Sequence, residues 1–194
     1  EHLDLVKQEC SLGVAFLVGH LLQTNFKAKS FKIHDETVDI QKFRGHRKVT
    51  REHLVLNSAS LRDADSAIIA ILMQNNAVST QLNLSDNLIG AGGARAIALM
   101  LETNSILTRL DLEKNQIDDK GTEAISHALL SNNTLQHLSL RANRITNEGA
   151  QTLATSLQYN SGLKVLYLEG NLTNWQGAAM LAATVALAAA LAVA

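Results

Sequence analysis

The sequence predicts an α/β fold: a right-handed β/α solenoid made of stacked strand–helix units. Three observations predict it. Leucine pairs recur at a fixed step of 28 residues, at Leu54/Leu56, Leu82/Leu84, Leu110/Leu112, Leu138/Leu140 and Leu166/Leu168. Asparagine and glycine keep the same register, at Asn87, Asn115, Asn143 and Asn171 and then at Gly93, Gly121, Gly149 and Gly177. Each unit closes on a further asparagine, at Asn76, Asn104, Asn132 and Asn160, after apolar residues at helical spacing. So many positions held in phase mark a repeat array. One strand plus one helix cannot bury either apolar face alone, but stacking buries both against the next unit.

Each part of the unit has a physical reason. In Leu107-Thr108-Arg109-Leu110-Asp111-Leu112 the last two leucines have period 2, which predicts a short strand with one buried face. The asparagine after the strand falls where the chain turns. Its short amide can bond nearby backbone groups in a buried turn. The glycine marks the start of the helix, where a side chain would crowd the turn. The helix follows as Ala94, Ile97, Ala98 and Leu101, then Ile125, Ala128 and Leu129, then Ala150, Leu153, Ala154 and Leu157. That spacing lays one apolar stripe along a helix. The closing asparagine suits a helix C-terminus because it tolerates the left-handed backbone.

The pattern Leu-x-x-Leu-x-Leu-x-x-Asn-x-Ile-x-x-x-Gly, followed by a helix and Asn-x-x-Leu, resembles the ribonuclease-inhibitor type of leucine-rich repeat over residues 54–177. The resemblance implies a horseshoe segment with a parallel sheet on the concave face and helices outside. It also implies a protein partner and no catalysis by the repeats. Proteins of this type include enzyme inhibitors, receptor sensor domains, adaptors and secreted bacterial effectors.

Composition narrows the class. The apolar share of 46% over 194 residues is enough for one continuous core. A net charge of −1 argues against a general binder of polyanions. The single cysteine, Cys10, excludes an intrachain disulfide and favours an intracellular setting. The opening residue, Glu1, is the start expected of a fragment or trimmed chain.

Residues 1–53 are expected to form an N-terminal helical cap or a divergent repeat, plus a basic connection. Residues 1–25 read as helix, and Phe31-x-Ile33 imitates the leucine pair six residues after Asn25. The alternative is the tail of an unrelated domain. The next step, to Leu54, is 23 rather than 28, and Val38, Ile40 and Phe43 alternate as in a strand or extended loop. This connection gathers Lys42, Arg44, Arg47, Lys48 and Arg51 with His46 and His53. Residues 54–194 hold about five units. The first is worn: Ala59 replaces the asparagine and Asp65 the glycine, as suits a terminal unit. The last unit is incomplete. Residues 178–194 are almost wholly alanine, leucine and valine, with Leu181, Ala182, Val185 and Leu191 in phase with Leu153, Ala154, Leu157 and Leu163. The run reads as an alanine-rich last unit or as a stretch in which alanine stands for other residues. It is shorter than the roughly 20 apolar residues of a membrane span.

The residues beside and between the strand leucines form ladders on the face that the resemblance makes concave. Before the pair stand His53, Gln81, Arg109, His137 and Val165; inside it Val55, Asn83, Asp111, Ser139 and Tyr167; just after it Asn57, Ser85, Glu113, Arg141 and Glu169. Adjacent parallel strands lie about 4.8 Å apart, so neighbours in a ladder touch. The expected partner-binding set is Arg109, Asp111, Glu113, Lys114, His137, Ser139, Arg141, Tyr167 and Glu169. Glu113, Arg141 and Glu169 are placed to form an acid–base–acid row. Arg and Tyr are the usual anchors of interfaces, although a self-neutralised surface would show the same residues.

Other chemistry finds little footing. Cys10 reads as a core thiol, and His127 as a solvent-facing helix residue. His34, Asp35 and Glu36 are consecutive, so strand geometry would point them apart and no metal is expected. His53 and His137 are three units apart. Asp118-Asp119 sits where a helix N-terminus favours negative charge. Gly90, Gly92 and Gly93 belong to the repeat rather than to a phosphate loop. No cofactor, no small-molecule substrate and no enzyme activity are expected, and neither nucleic acid nor a membrane is the expected partner. Two alternatives stand beside protein binding on the concave face: a structural segment contacting neighbours through its helices or N-terminal unit, and a nucleic-acid binder acting through the basic connection.

Overall fold

A computed structural model describes residues 2–4, 11–24, 30–33, 36–39, 53–174, 177 and 179. Five short strands carry the leucine pairs: β4 (His53–Val55), β5 (Gln81–Asn83), β6 (Arg109–Asp111), β7 (His137–Ser139) and β8 (Val165–Tyr167). They form one parallel sheet in sequence order. The register is the repeat itself: Leu54 pairs with Leu82, Leu82 with Leu110, Leu110 with Leu138 and Leu138 with Leu166. Between them run α2 (Asp63–Gln74), α3 (Ala91–Thr103), α4 (Asp119–Leu129) and α5 (Asn147–Leu157). A parallel strand–helix–strand crossover is right-handed almost without exception.

The core lies between sheet and helices. Leu84, Leu112 and Leu140 are fully buried, as are Ile89, Ile117 and Ile145 after the turn and Ile97, Ile125 and Leu153 on the helices. Packing loosens at the C-terminal side, where Leu166 and Leu168 are only half-buried and Thr173 replaces the isoleucine.

Buried asparagines tie the units together. Asn115 donates from Nδ2 to the carbonyl oxygens of Leu112 (3.1 Å) and of Leu84 in the preceding unit (3.0 Å), and its Oδ1 accepts from the Ile89 amide (3.1 Å). Asn87, Asn143 and Asn171 repeat the arrangement one unit apart. Each therefore satisfies turn groups that burial would otherwise orphan. The residue just before each of the four holds the left-handed backbone, Asp86, Lys114, Ala142 and Gly170 having φ between 48° and 75°, as does Ser58 before Ala59.

The closing asparagines are not left-handed, contrary to expectation: Asn104 is extended (φ −78°, ψ 119°) and none of the four has positive φ. The side chain serves instead of the backbone. Asn104 Nδ2 donates to the Met73 carbonyl of the preceding unit (2.7 Å), and its Oδ1 accepts from the amides of Ile106 and Leu107 (2.9 and 2.8 Å). Asn132 and Asn160 do the same.

The repeat glycines lie inside the first helical turn, as the third residue of α3, α4 and α5, where the preceding unit approaches. A Cβ on Gly149 would stand 2.5 Å from Asp119 Oδ1 and 2.8 Å from Ile145 Cγ2. Asp119 comes so near because it caps the following helix. Its Oδ1 accepts from the amides of Thr146 (2.8 Å) and Gly149 (3.0 Å). Asp63 likewise accepts from the amides of Gly90, just before α3, and of Gly92 in its first turn. Ala91 holds the intervening rung, and α4 is capped by its own Asp118, which accepts from Gly121 (3.1 Å). The acidic pair thus caps two helices, one in each unit.

The N-terminal region corrects the expectation of helix over residues 1–25. His2–Asp4 is strand β1, and the helix α1 spans Leu12–Thr24. Leu3 has the period-2 partner Leu5 and stands 28 residues before Phe31, the register in which β1 pairs parallel with β2 (Ser30–Ile33). Then β3 (Glu36–Asp39) folds back antiparallel on β2, giving a three-stranded sheet separate from the main one. The helix layer runs on across that break, because α1 packs on α2. Gly19 permits it: a Cβ there would lie 2.8 Å from Ile71 Cδ1. Cys10, His34 and Asp35, the basic run 42–51 and the alanine-rich stretch beyond residue 179 lie outside the described residues.

Candidate protein-binding face

The middle residue of each of β4–β7 points into the core, so its neighbours face the other way. This puts His53, Gln81, Arg109, His137 and Val165 in one hydrogen-bonded row, and Val55, Asn83, Asp111, Ser139 and Tyr167 in the next. The open face is therefore a grid held by backbone pairing, which fixes its side chains at their roots.

Charge concentrates toward the C-terminal end. Arg141 meets Glu169 through both prongs of its guanidinium, Nε to Oε2 at 2.7 Å and Nη2 to Oε1 at 3.0 Å. A forked pair of this kind is among the stronger polar contacts. The same guanidinium lies over the Tyr167 ring, 4.4 Å from its centre, a geometry favourable to cation–π attraction. The Arg141 hydrogen bonds hold the Glu169 carboxyl down to about 2, and Glu169 in turn raises the Arg141 pKa. Both side chains stay open to solvent, at 40% and 64%.

The expected acid–base–acid row closes at one end only. Glu113 adds a favourable field at Arg141, but no ion pair joins them among the described residues. Arg141 commits its fork to Glu169 and one face to Tyr167. Asp111 is partly occupied: its Oδ1 accepts from the Glu113 amide (3.0 Å), as Asn83 accepts from Ser85 (2.9 Å). Arg109 and Lys114 are exposed, with no ion pair among the described residues. At the centre of the grid, His137 Nδ1 and Ser139 Oγ are covered and lack a hydrogen-bond partner among the described residues. His53 and His137 stand on β4 and β7, with two strands between them. His127 is exposed on α4.

Sequence reasoning missed the stacking of Arg141 on Tyr167. The signal was a separation of 26, which places a long side chain diagonally across two paired strands. Among the described residues no group of three or more His, Cys, Asp or Glu is placed to hold a metal ion, and no helix is long and apolar enough to cross a membrane.

Comparison with known proteins agrees with this geometry. Three stretches, 80–98, 103–126 and 131–154, match the leucine-rich repeat family. The fold is a leucine-rich-repeat solenoid. Among solved structures it is similar to leiomodin-1 actin-binding site 2, with a TM-score of 0.62 at 21% identity over 77% of this chain and 86% of that one. It is likewise similar to the tropomodulin C-terminal domain of Caenorhabditis elegans, with a TM-score of 0.61 at 12% identity over 79% of this chain and 92% of that one. Comparison with curated protein sequences gives no significant match.

Proposed function

We propose that this chain is a non-catalytic protein-binding module whose partner lies across the open face of β4–β8. The observation that carries the reading is the Arg141–Tyr167–Glu169 cluster. It is a cation and an aromatic ring, pre-oriented by a forked ion pair and rooted on paired strands, yet open to solvent. Holding such anchors in place lowers the entropy lost on binding. Arg109, Asp111, Glu113 and Lys114 beside it, with His137 and Ser139 between, supply mixed charge and hydrogen-bonding groups to select a complementary surface. The 28-residue step supports assigning the units to the ribonuclease-inhibitor type. The single cysteine supports an intracellular setting.

Actin is the first partner to try, because the similar leiomodin structure is of an actin-binding site. Binding of monomeric actin to the immobilised chain, measured by interferometry, tests that choice. Absence of binding at about 100 µM would remove actin. The face itself is tested by the variant R109A/R141A/Y167A, compared with wild type in capture of actin and of cross-linked proteins from cytosol. A loss of at least about tenfold is expected from removing interface anchors. Unchanged capture would defeat the open-face reading.

A further inference from the structure

Three Asn-x-Ser/Thr triplets stand in the sequence: Asn83-Leu84-Ser85, Asn132-Asn133-Thr134 and Asn171-Leu172-Thr173. Each is an acceptor for N-linked glycosylation wherever that reaction runs. The reaction forms a bond from Nδ2 to the sugar C1, breaks that carbon's bond to the diphosphate of its lipid donor, and releases one amide proton. Nδ2 then keeps one hydrogen instead of two. At Asn132 neither hydrogen is spare. Nδ2 donates to the carbonyls of Leu101 (2.6 Å) and Asn104 (3.1 Å), and the residue is 5% exposed. At Asn171 the two acceptors are the carbonyls of Leu140 (2.7 Å) and Leu168 (2.8 Å). Whichever hydrogen the sugar replaces, C1 must enter the space between Nδ2 and one of these oxygens. The tie between units then breaks, and a carbonyl loses its donor.

We propose that Asn132 and Asn171 are glycosylation acceptors whose occupancy this fold cannot tolerate, and hence that the array is built to close on the cytosolic side of any membrane system that glycosylates. Sugar transfer acts on the extended chain as it enters the lumen, before the ties that hide these amides have formed. The closed array protects both nitrogens, and the nascent chain protects neither. Asn83 is the contrast. Its Oδ1 accepts from the Ser85 amide (2.9 Å), its Nδ2 bonds to nothing among the described residues, and it stands half-buried on the open face. A sugar there leaves the solenoid tied. It would cover the grid of side chains, which bears on function only through the open-face reading. The single cysteine points to the same side of the membrane from a different property of the chain.

The test sends the whole 194-residue chain into the lumen of mammalian cells behind a cleavable signal peptide. Its comparison is Thr134→Val/Thr173→Ile, which removes both acceptors and keeps both asparagines. These replacements suit their places, since Val78 and Ile106 stand at the position of Thr134, and Ile89, Ile117 and Ile145 at that of Thr173. Glycopeptide mass spectrometry should find sugar on Asn132 and Asn171 of the wild type. Limited proteolysis should digest the lumenal wild type at least about tenfold faster than the lumenal variant. The same pair made without the signal peptide gives the effect of the two substitutions alone, against which the lumenal ratio is read. A lumenal pair that differs no more than the cytosolic pair, with the acceptors occupied or empty, overturns the proposal. Protease resistance does not depend on what the open face binds, so this result stands apart from the capture of a partner.

Discussion

The regular units and the N-terminal flank share a 28-residue step but are not joined in the same way. From β4 to β8 every strand pairs with the next, and every turn is tied to its neighbour by an asparagine side chain. Ahead of β4 the same step joins β1 to β2 and then stops, because β3 has folded back onto the free edge of β2. The difference teaches that the 28-residue step sets which strands pair, and that the asparagines add a second tie between units where the array runs on. Each asparagine serves the unit before it. At the worn position Ala59 has no side-chain amide to offer the unit before it. Asn87 in the following unit takes the Ala59 and Leu61 amides instead, both at 3.0 Å. Alanine there is therefore no defect.

The largest effect should come from cutting a rung. Asn115→Ala orphans the Ile89 amide and takes one of two donors from each of the Leu84 and Leu112 carbonyls, and should cost about 3 kcal/mol in urea unfolding. The mirror change, Ala59→Asn, should not stabilise. A gain there would show that an amide at that place has groups to serve. Next in size is Gly149→Ala, which forces Asp119 off the α5 cap and should cost about 2 kcal/mol. Asp65→Ala, at the matching position of α2, removes the 2.8 Å bond to the Arg62 amide and should cost about 1 kcal/mol. Asp119→Ala should also cost about 1 kcal/mol in thermal unfolding by loss of a cap, and Lys120→Ala, which faces solvent, nearly nothing.

The smallest effect on stability should come from the open face. Glu169 is depressed from the ordinary 4.5 to about 2, so its contribution is complete above pH 4.5 and lost as pH falls through 2. The carboxylate titration followed by NMR should centre near 2 and move back toward 4.5 in Arg141→Ala. The unfolding midpoint should scarcely move, because the pair is solvent-screened.

Much of this was legible in the sequence where one residue type does one job. The leucines, the turn asparagines and the glycines recur because each backbone site tolerates little else. The left-handed residue of each turn was not legible, because Ser58, Asp86, Lys114, Ala142 and Gly170 have nothing in common. The conformation belongs to the place in the turn, not to the residue adopting it, and Ser58 keeps it with Ala59 rather than asparagine after it. The closing asparagines were visible, but their role was misassigned to the backbone when it belongs to the side chain. Strand β1 was hidden because Leu3 and Leu5 fit a helical stripe as readily as a strand. On the open face the ladders followed from period 2 alone. Which carboxylate Arg141 would choose did not, since Glu113 and Glu169 are equivalent in register and only packing beside Tyr167 separates them.

Links that reach back by whole units make the chain tolerant of one kind of length change and no other. Excising residues 110–137 would set Asn143 against Leu84 in the geometry Asn115 now holds, and the splice would keep its backbone contacts while exchanging Asp119 for Ala91 at the α5 cap. Removing a few residues more or fewer would slide every carbonyl past its amide and leave both ends of the cut without a partner.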